Sequence, residues 1–134
     1  MTTHLPKPIS PRAHRRFDQL ALPGMVTLAL WMRRKNPRAA AVIGAAVIAE
    51  GSAQFTTDYP PPVAFGWMDF REHNRMAVVH GVFIAAAACL VPGLSRGQRG
   101  LILGLSAVPM ALAALSDTSA AAREETLREE NQRR

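Results

Sequence analysis

Residues 76–95 read MAVVHGVFIAAAACLVPGLS, without one Asp, Glu, Lys or Arg. A helix on the surface of a water-soluble protein must turn a polar face to solvent. Between Met76 and Leu94 only His80 could supply one. Residues 100–116 (GLILGLSAVPMALAALS) are equally free of charge, residues 19–32 also carry none, and residues 39–57 carry only Glu50. Four apolar segments follow: Phe17–Met32, Ala39–Thr57, Met76–Pro92 and Leu101–Ser116. Each lies near the lower limit for a membrane-spanning helix, roughly 17–20 residues. The pattern predicts an all-α, four-helix transmembrane bundle. Its competitor is a soluble four-helix bundle with alanine-rich core helices, which the missing polar faces disfavour.

The remaining composition agrees. The chain has 134 residues, 49% hydrophobic and 19% charged, with a mean hydropathy of only +0.03. That length suits one domain, and the low average arises because charge is segregated into the ends and connections. Residues 1–16 form a polar, basic N-terminal arm, residues 17–118 the membrane domain, and residues 119–134 a charged tail. The arm is not expected to be a cleaved signal, because the apolar segment behind it runs into Arg33-Arg34-Lys35 without a small-residue cleavage pattern. Arg33–Arg38 and Ser95–Gly100 read as tight basic turns between paired helices. Asp58–Arg75 is a longer connection, with Pro60-Pro61-Pro62 and then Phe65, Trp67 and Phe70, aromatics suited to the lipid–water boundary. In the tail, Glu124/Arg128, Glu129/Arg133 and Glu130/Arg134 are acid–base pairs four apart, which support a solvated helix.

Sliding the sequence by about 59 residues superposes His14 on His73, each flanked by arginines two positions away (Arg12 and Arg16, Arg71 and Arg75). Near the same offset Gly44 meets Gly104, and Thr57-Asp58 meets Ser116-Asp117. Two repeats, about 11–58 and 70–117, each read as basic-His start, apolar helix, basic turn, apolar helix and hydroxyl-Asp exit. A two-span unit returns to the side it left, so the repeats are parallel about an axis along the membrane normal. Arm, middle connection and tail then share one side with ten Lys and Arg, against six in the two short turns. This leans the termini toward the cytoplasm, with the cell membrane as the expected location.

The run Pro11-Arg-Ala-His14-Arg-Arg-Phe-Asp18, the Thr57-Asp58-Tyr59-Pro60 exit and His73 leading to Gly81 resemble the SPW-repeat-like small integral membrane proteins of bacteria. The resemblance covers roughly residues 8–118. It implies duplicated helix pairs with a His-x-x-x-Asp start and a proline near the end of the first helix. The chain departs from that pattern at Ala77, where the second start lacks its Asp, and at Val91-Pro92-Gly93, which keeps only the proline of the Ser-Pro-Trp signature. The resemblance implies little about function, since members of that family are mostly uncharacterised.

Two constellations can carry chemistry. The repeat marks His14, Asp18, Asp58, His73 and Asp117 all fall near one membrane surface. His14 and Asp18, four apart, share a helix face. Two imidazoles and three carboxylates suit a zinc-like or harder divalent ion, or a phosphate headgroup. The competing explanation is that each mark ends a helix at the interface, a histidine bonding an aspartate across the bundle; Ala77 opposes a symmetric metal pair. Glu50 and His80 form the second constellation, an ionisable pair inside the spans. Glu50 stands seven residues before Thr57 and His80 seven after His73, each roughly 10 Å deep, while their repeat equivalents are apolar (Ala21; Pro109 or Met110). A structural Glu–His hydrogen bond, a proton-relay or transport site, and a haem or quinone contact through His80 remain open.

Small residues recur every four positions at Ala41, Ala45, Ala49 and Ala53, at Gly81, Ala85 and Cys89, and at Gly100 and Gly104. Such stripes predict close helix packing, with Cys89 as a small buried hydrophobe. A lone cysteine excludes an internal disulfide and a Cys-based zinc site. The net charge of +6 is scattered over helix ends, without a basic stripe or stacking platform, so anionic lipid rather than nucleic acid is the expected partner. No phosphate loop, nucleophile elbow or zinc-protease motif is present. A non-catalytic, cofactor-free structural or accessory membrane protein is expected, as a homo-oligomer or a subunit of a larger complex. The alternatives are a small transporter or proton-linked protein using Glu50 and His80, and an interfacial metal- or headgroup-binding enzyme using the His/Asp marks.

Overall fold

Helix boundaries follow capping chemistry more closely than hydropathy. In the computed structural model, which describes residues 7–58 and 65–132, five helices occur: α1 Pro11–Arg33, α2 Pro37–Thr56, α3 Phe70–Leu90, α4 Arg96–Leu115 and α5 Thr118–Gln132. Ser10 accepts from the Ala13 amide ahead of α1, and Asn36 from the Arg38 and Ala39 amides ahead of α2, each followed by a proline in the first turn. Asp69 with Glu72, and Ser95 with Gln98, form reciprocal capping boxes at the starts of α3 and α4. These caps lie upstream of the apolar runs. Residues 11–16, expected in the polar arm, are therefore the start of α1, and residues 70–75 belong to α3. The cap at Ser10 recurs 59 residues later at Asp69, and that at Asn36 recurs at the same offset at Ser95.

Three of these helices, α2, α3 and α4, are long and apolar enough to cross a membrane. Their 20–21 residues span about 30 Å at about 1.5 Å per residue, the thickness of a bilayer's hydrocarbon core. α1 is the longest at 23 residues, but Arg12, Arg15, Arg16 and Asp18 crowd its first third.

The chain runs up and down, with α1 packed on α2, α2 on α3 and α3 on α4, while α1 and α4 scarcely touch. At the end bearing the two tight turns the interior is apolar: Met32, Ala39, Val42, Ile43, Ala88, Leu94 and Ile102 pack together. Asn36 donates to Gly93 O and Gln98 Oε1 there, and Arg38 donates to Pro92 O, tying one turn to the other. Gly93 takes the left-handed conformation (φ 79°) against the Arg38 guanidinium. The opposite end is polar inside, burying His14, Asp18, Thr57, His73, Asn74 and Ser116. Two short parallel backbone pairings, Ile9 with Ser116 and Thr57 with Met68, close it. Meanwhile Leu20, Ile48, Phe83 and Leu90 stand more than two-thirds exposed on the outside. Polar groups within and large apolar groups without invert the distribution of a water-soluble bundle and match a lipid surround.

Several packing expectations need correction. On α2 the buried face is Ala39, Val42, Ile43, Ala46 and Ala53, whereas Ala41 and Ala45 are exposed. Gly100 and Gly104 face open space, and Cys89 is exposed. In an alanine-rich helix a four-residue spacing arises from composition, and the partner helices decide which face is covered. Gly81 is the exception: a Cβ there would lie 2.5 Å from Met110 Cγ and 2.8 Å from Ser106 O, so it sets the approach of α3 to α4. Of the connection's aromatics, Phe65 and Trp67 are exposed, rings 5.0 Å apart, while Phe70 turns inward. Pro60-Pro61-Pro62 lies outside the described residues, as do side chains of every acid–base pair foreseen in the tail. Gly81→Ala should cost about 1–3 kcal/mol through overpacking, whereas Gly104→Ala should be neutral or stabilising. Thermal unfolding in detergent reads both; equal effects would contradict the α3–α4 contact.

Candidate functional site

Three of the five sequence marks converge. Side chains from the first turns of α1 and α3 meet, with the His14 and His73 ring centroids 5.5 Å apart and each residue only 1% exposed. Asp18, one turn beyond His14, directs Oδ2 to both: 3.3 Å to His14 Nε2 and 3.3 Å to His73 Nε2. Phe70 covers the pair, edge-on to His14 and stacked on His73. His14, Asp18 and His73 thus present three ligating atoms within 4.8 Å of one another.

The other nitrogen of each imidazole is held by a hydroxyl. His14 Nδ1 lies 2.6 Å from Ser116 Oγ at the end of α4, and His73 Nδ1 lies 2.9 Å from Thr57 Oγ1 at the end of α2. Each hydroxyl also donates to a carbonyl one turn back, Ser116 to Leu112 O and Thr57 to Ala53 O. A hydroxyl has one hydrogen. With that hydrogen committed to the carbonyl, its oxygen accepts from the imidazole, so both Nδ1 atoms carry protons. The latches cross: the histidine at the start of α1 meets the exit of α4, and that at the start of α3 meets the exit of α2. Both hydroxyls are 0% exposed, so neither is placed to attack a substrate.

Asp58 and Asp117, the remaining marks, do not join. Asp58 is exposed and its backbone amide pairs with Met68 O. Asp117 caps α5, accepting from the Ser119 and Ala120 amides. The Ser119 hydroxyl, then the Ala120 amide, hold its carboxyl below the usual carboxylate range. Their neighbours Thr57 and Ser116 point inward instead: both are extended C-cap residues (ψ 138°), and successive side chains on extended backbone point to opposite sides. Asn74 is a further buried polar residue that sequence reasoning did not single out; its side-chain amide finds no partner among the described residues.

Glu50 and His80 do meet, across α2 and α3, with Oε1 3.9 Å from Nδ1. That is within ion-pair reach but too long for a hydrogen bond, and His80 Nδ1 has no hydrogen-bond partner among the described residues. Both line a cleft of about 260 Å³ between α1 and α4, walled by Leu22, Met25, Leu105 and Leu112, with Asp18 also in its lining. No protein-family model, curated protein or solved structure matches the chain.

Removing a latch hydroxyl strands a buried imidazole N–H. Ser116→Ala and Thr57→Val should each cost about 1–3 kcal/mol, against less than about 0.5 kcal/mol for Asp58→Asn. Chemical denaturation in detergent measures all three, and comparable losses for Thr57→Val and Asp58→Asn would contradict the latch.

Proposed function

We propose that the protein is a small, non-catalytic accessory protein of the cell membrane, with four spans arranged as two parallel two-helix repeats. The observation that carries this reading is the crossed pair of latches. The buried polar groups join helix starts to helix exits and offer no exposed nucleophile, as expected of groups that hold a bundle together. The duplication is supported by the common 59-residue offset of the caps, of His14 with His73, and of Ser116 with Thr57. α1 serves as the fourth span: its 23 residues reach about 35 Å, and its basic first turns lie at a headgroup surface beside the similarly basic start of α3. The excess of Lys and Arg on the side of the termini favours a cytoplasmic location for them. The chain works through the bilayer and through other polypeptides, as a homo-oligomer or within a larger membrane complex. The resemblance to SPW-repeat-like proteins agrees with this architecture.

A second reading, a proton-linked or transport role, draws on Glu50 and His80 facing the α1–α4 cleft without bonding each other. Ionisable groups inside spans that line a cavity often mark ion pathways. Reconstitution into liposomes carrying an internal pH dye separates the two roles. No proton flux above that of empty vesicles is expected, with or without Glu50→Gln. A protein-dependent flux abolished by Glu50→Gln would overturn the accessory role in favour of the second.

A further inference from the structure

We propose that His14, His73 and Asp18 form a binding site for one divalent transition-metal ion of the zinc class, held at the junction of the two hairpins. The inference goes beyond the accessory role and does not depend on it.

Proton bookkeeping motivates the site. Both imidazoles spend Nδ1–H on a hydroxyl oxygen, so in their neutral form each presents the Nε2 lone pair to the same side. Both Nε2 atoms face the Asp18 oxygen, bringing three acceptor atoms together in a buried space. Acceptors converge in this manner around a cation. A divalent ion satisfies all three at once, whereas a single proton can bridge only one pair.

Two of the three ligand-to-ligand edges match a particular geometry, and the third is within 4.8 Å. Zinc binds imidazole nitrogen and carboxylate oxygen at about 2.0–2.2 Å in a tetrahedron. The corresponding ligand-to-ligand edge is about 3.3–3.5 Å. Both Nε2–Oδ2 separations are 3.3 Å. An octahedral magnesium site, with bonds of about 2.0–2.1 Å, would need edges of about 2.9 Å. The donor set also excludes calcium, which takes six to eight oxygens. Two imidazoles and one carboxylate give three protein ligands, leaving a fourth position for water.

The outer contacts are those of a metal site as well. Metal-bound histidines usually donate their second ring N–H to a fixed acceptor, which sets tautomer and ring direction. Ser116 and Thr57 do this here, each oriented in turn by a helix carbonyl. The missing carboxylate at Ala77 is consistent with one ion: Asp18 lies between the two histidines, and a single carboxylate reaches both.

The test uses the full-length protein, purified in detergent and stripped with a chelator. Titration with Co²⁺ should give the visible bands of a tetrahedral N/O site, saturating at one ion per chain and displaced by Zn²⁺. Asp18→Asn and His73→Ala should abolish saturable binding, Ser116→Ala should weaken it about 10–100-fold, and Asp58→Asn should leave it unchanged. Histidine-¹⁵N NMR of the wild-type chain makes the outcome independent of how the variants fold. On adding Zn²⁺, two of the four histidines should shift at Nε2 while keeping Nδ1–H. Absence of stoichiometric metal in the folded wild-type protein, Nε2 atoms already protonated and unmoved by Zn²⁺, or equal binding by His73→Ala and Asp58→Asn would each overturn the site. A liposome flux dependent on Glu50 would leave these readouts untouched.

Discussion

A carboxylate removed from water must be matched by donors or a cation, or its desolvation outweighs what it contributes. Asp18, 7% exposed, faces Nε2 of two imidazoles from different helices, so a proton on one of them or an ion held among the three supplies the match. Much of the polar end follows from this demand. The starts of α1 and α3 must lie together to bring both histidines to one oxygen. The far nitrogens then need their own partners, which the exits of α4 and α2 supply. With α3 packed on both α2 and α4, α1 contacts chiefly α2, and the α1–α4 side is left as a cleft.

The two ends of the bundle solve different problems. At the turn end, Arg99 donates to the Ala88, Cys89 and Val91 carbonyls, satisfying groups that the end of α3 leaves open. Apolar packing around Ile43 and Ile102 lies beneath. At the other end polar contacts replace that packing. Within lipid, burying alkyl groups gains little over leaving them in the hydrocarbon, so polar contacts and close fit carry more of the association. The tight meeting at Gly81 and the buried latches are of this kind, and the exposed Ile48 and Phe83, on two of the helices apolar enough to span, suit a lipid surround.

Much of this was legible from residue order alone. Charge marked where the helices end, because Lys, Arg, Asp and Glu are excluded from their apolar stretches. Helices start several residues before the apolar runs where Ser10 and Asp69 cap them, in stretches that composition assigns to loops. The i,i+4 spacing of His14 and Asp18 revealed a shared face, and the offset matched His73 with His14. Residue order could not choose between Thr57 and Asp58, or Ser116 and Asp117, since adjacent side chains at a helix end diverge in direction. Residue order sets Glu50 and His80 at one depth on neighbouring helices, but only the structure shows the 3.9 Å gap and the cleft beside it. The alanine stripe on α2 misled because small residues are plentiful there on every face.

His73 has no carboxylate one turn along its own helix: Ala77 stands there and is buried, so Asp18 alone faces both histidines. A double-mutant cycle on stability in detergent, combining Asp18→Asn with His73→Gln, tests this sharing most directly. The two changes sit on different helices and should couple by about 1–3 kcal/mol, with the double variant losing less than the sum of the singles. Losses additive within about 0.5 kcal/mol would contradict a carboxylate shared between the two helices.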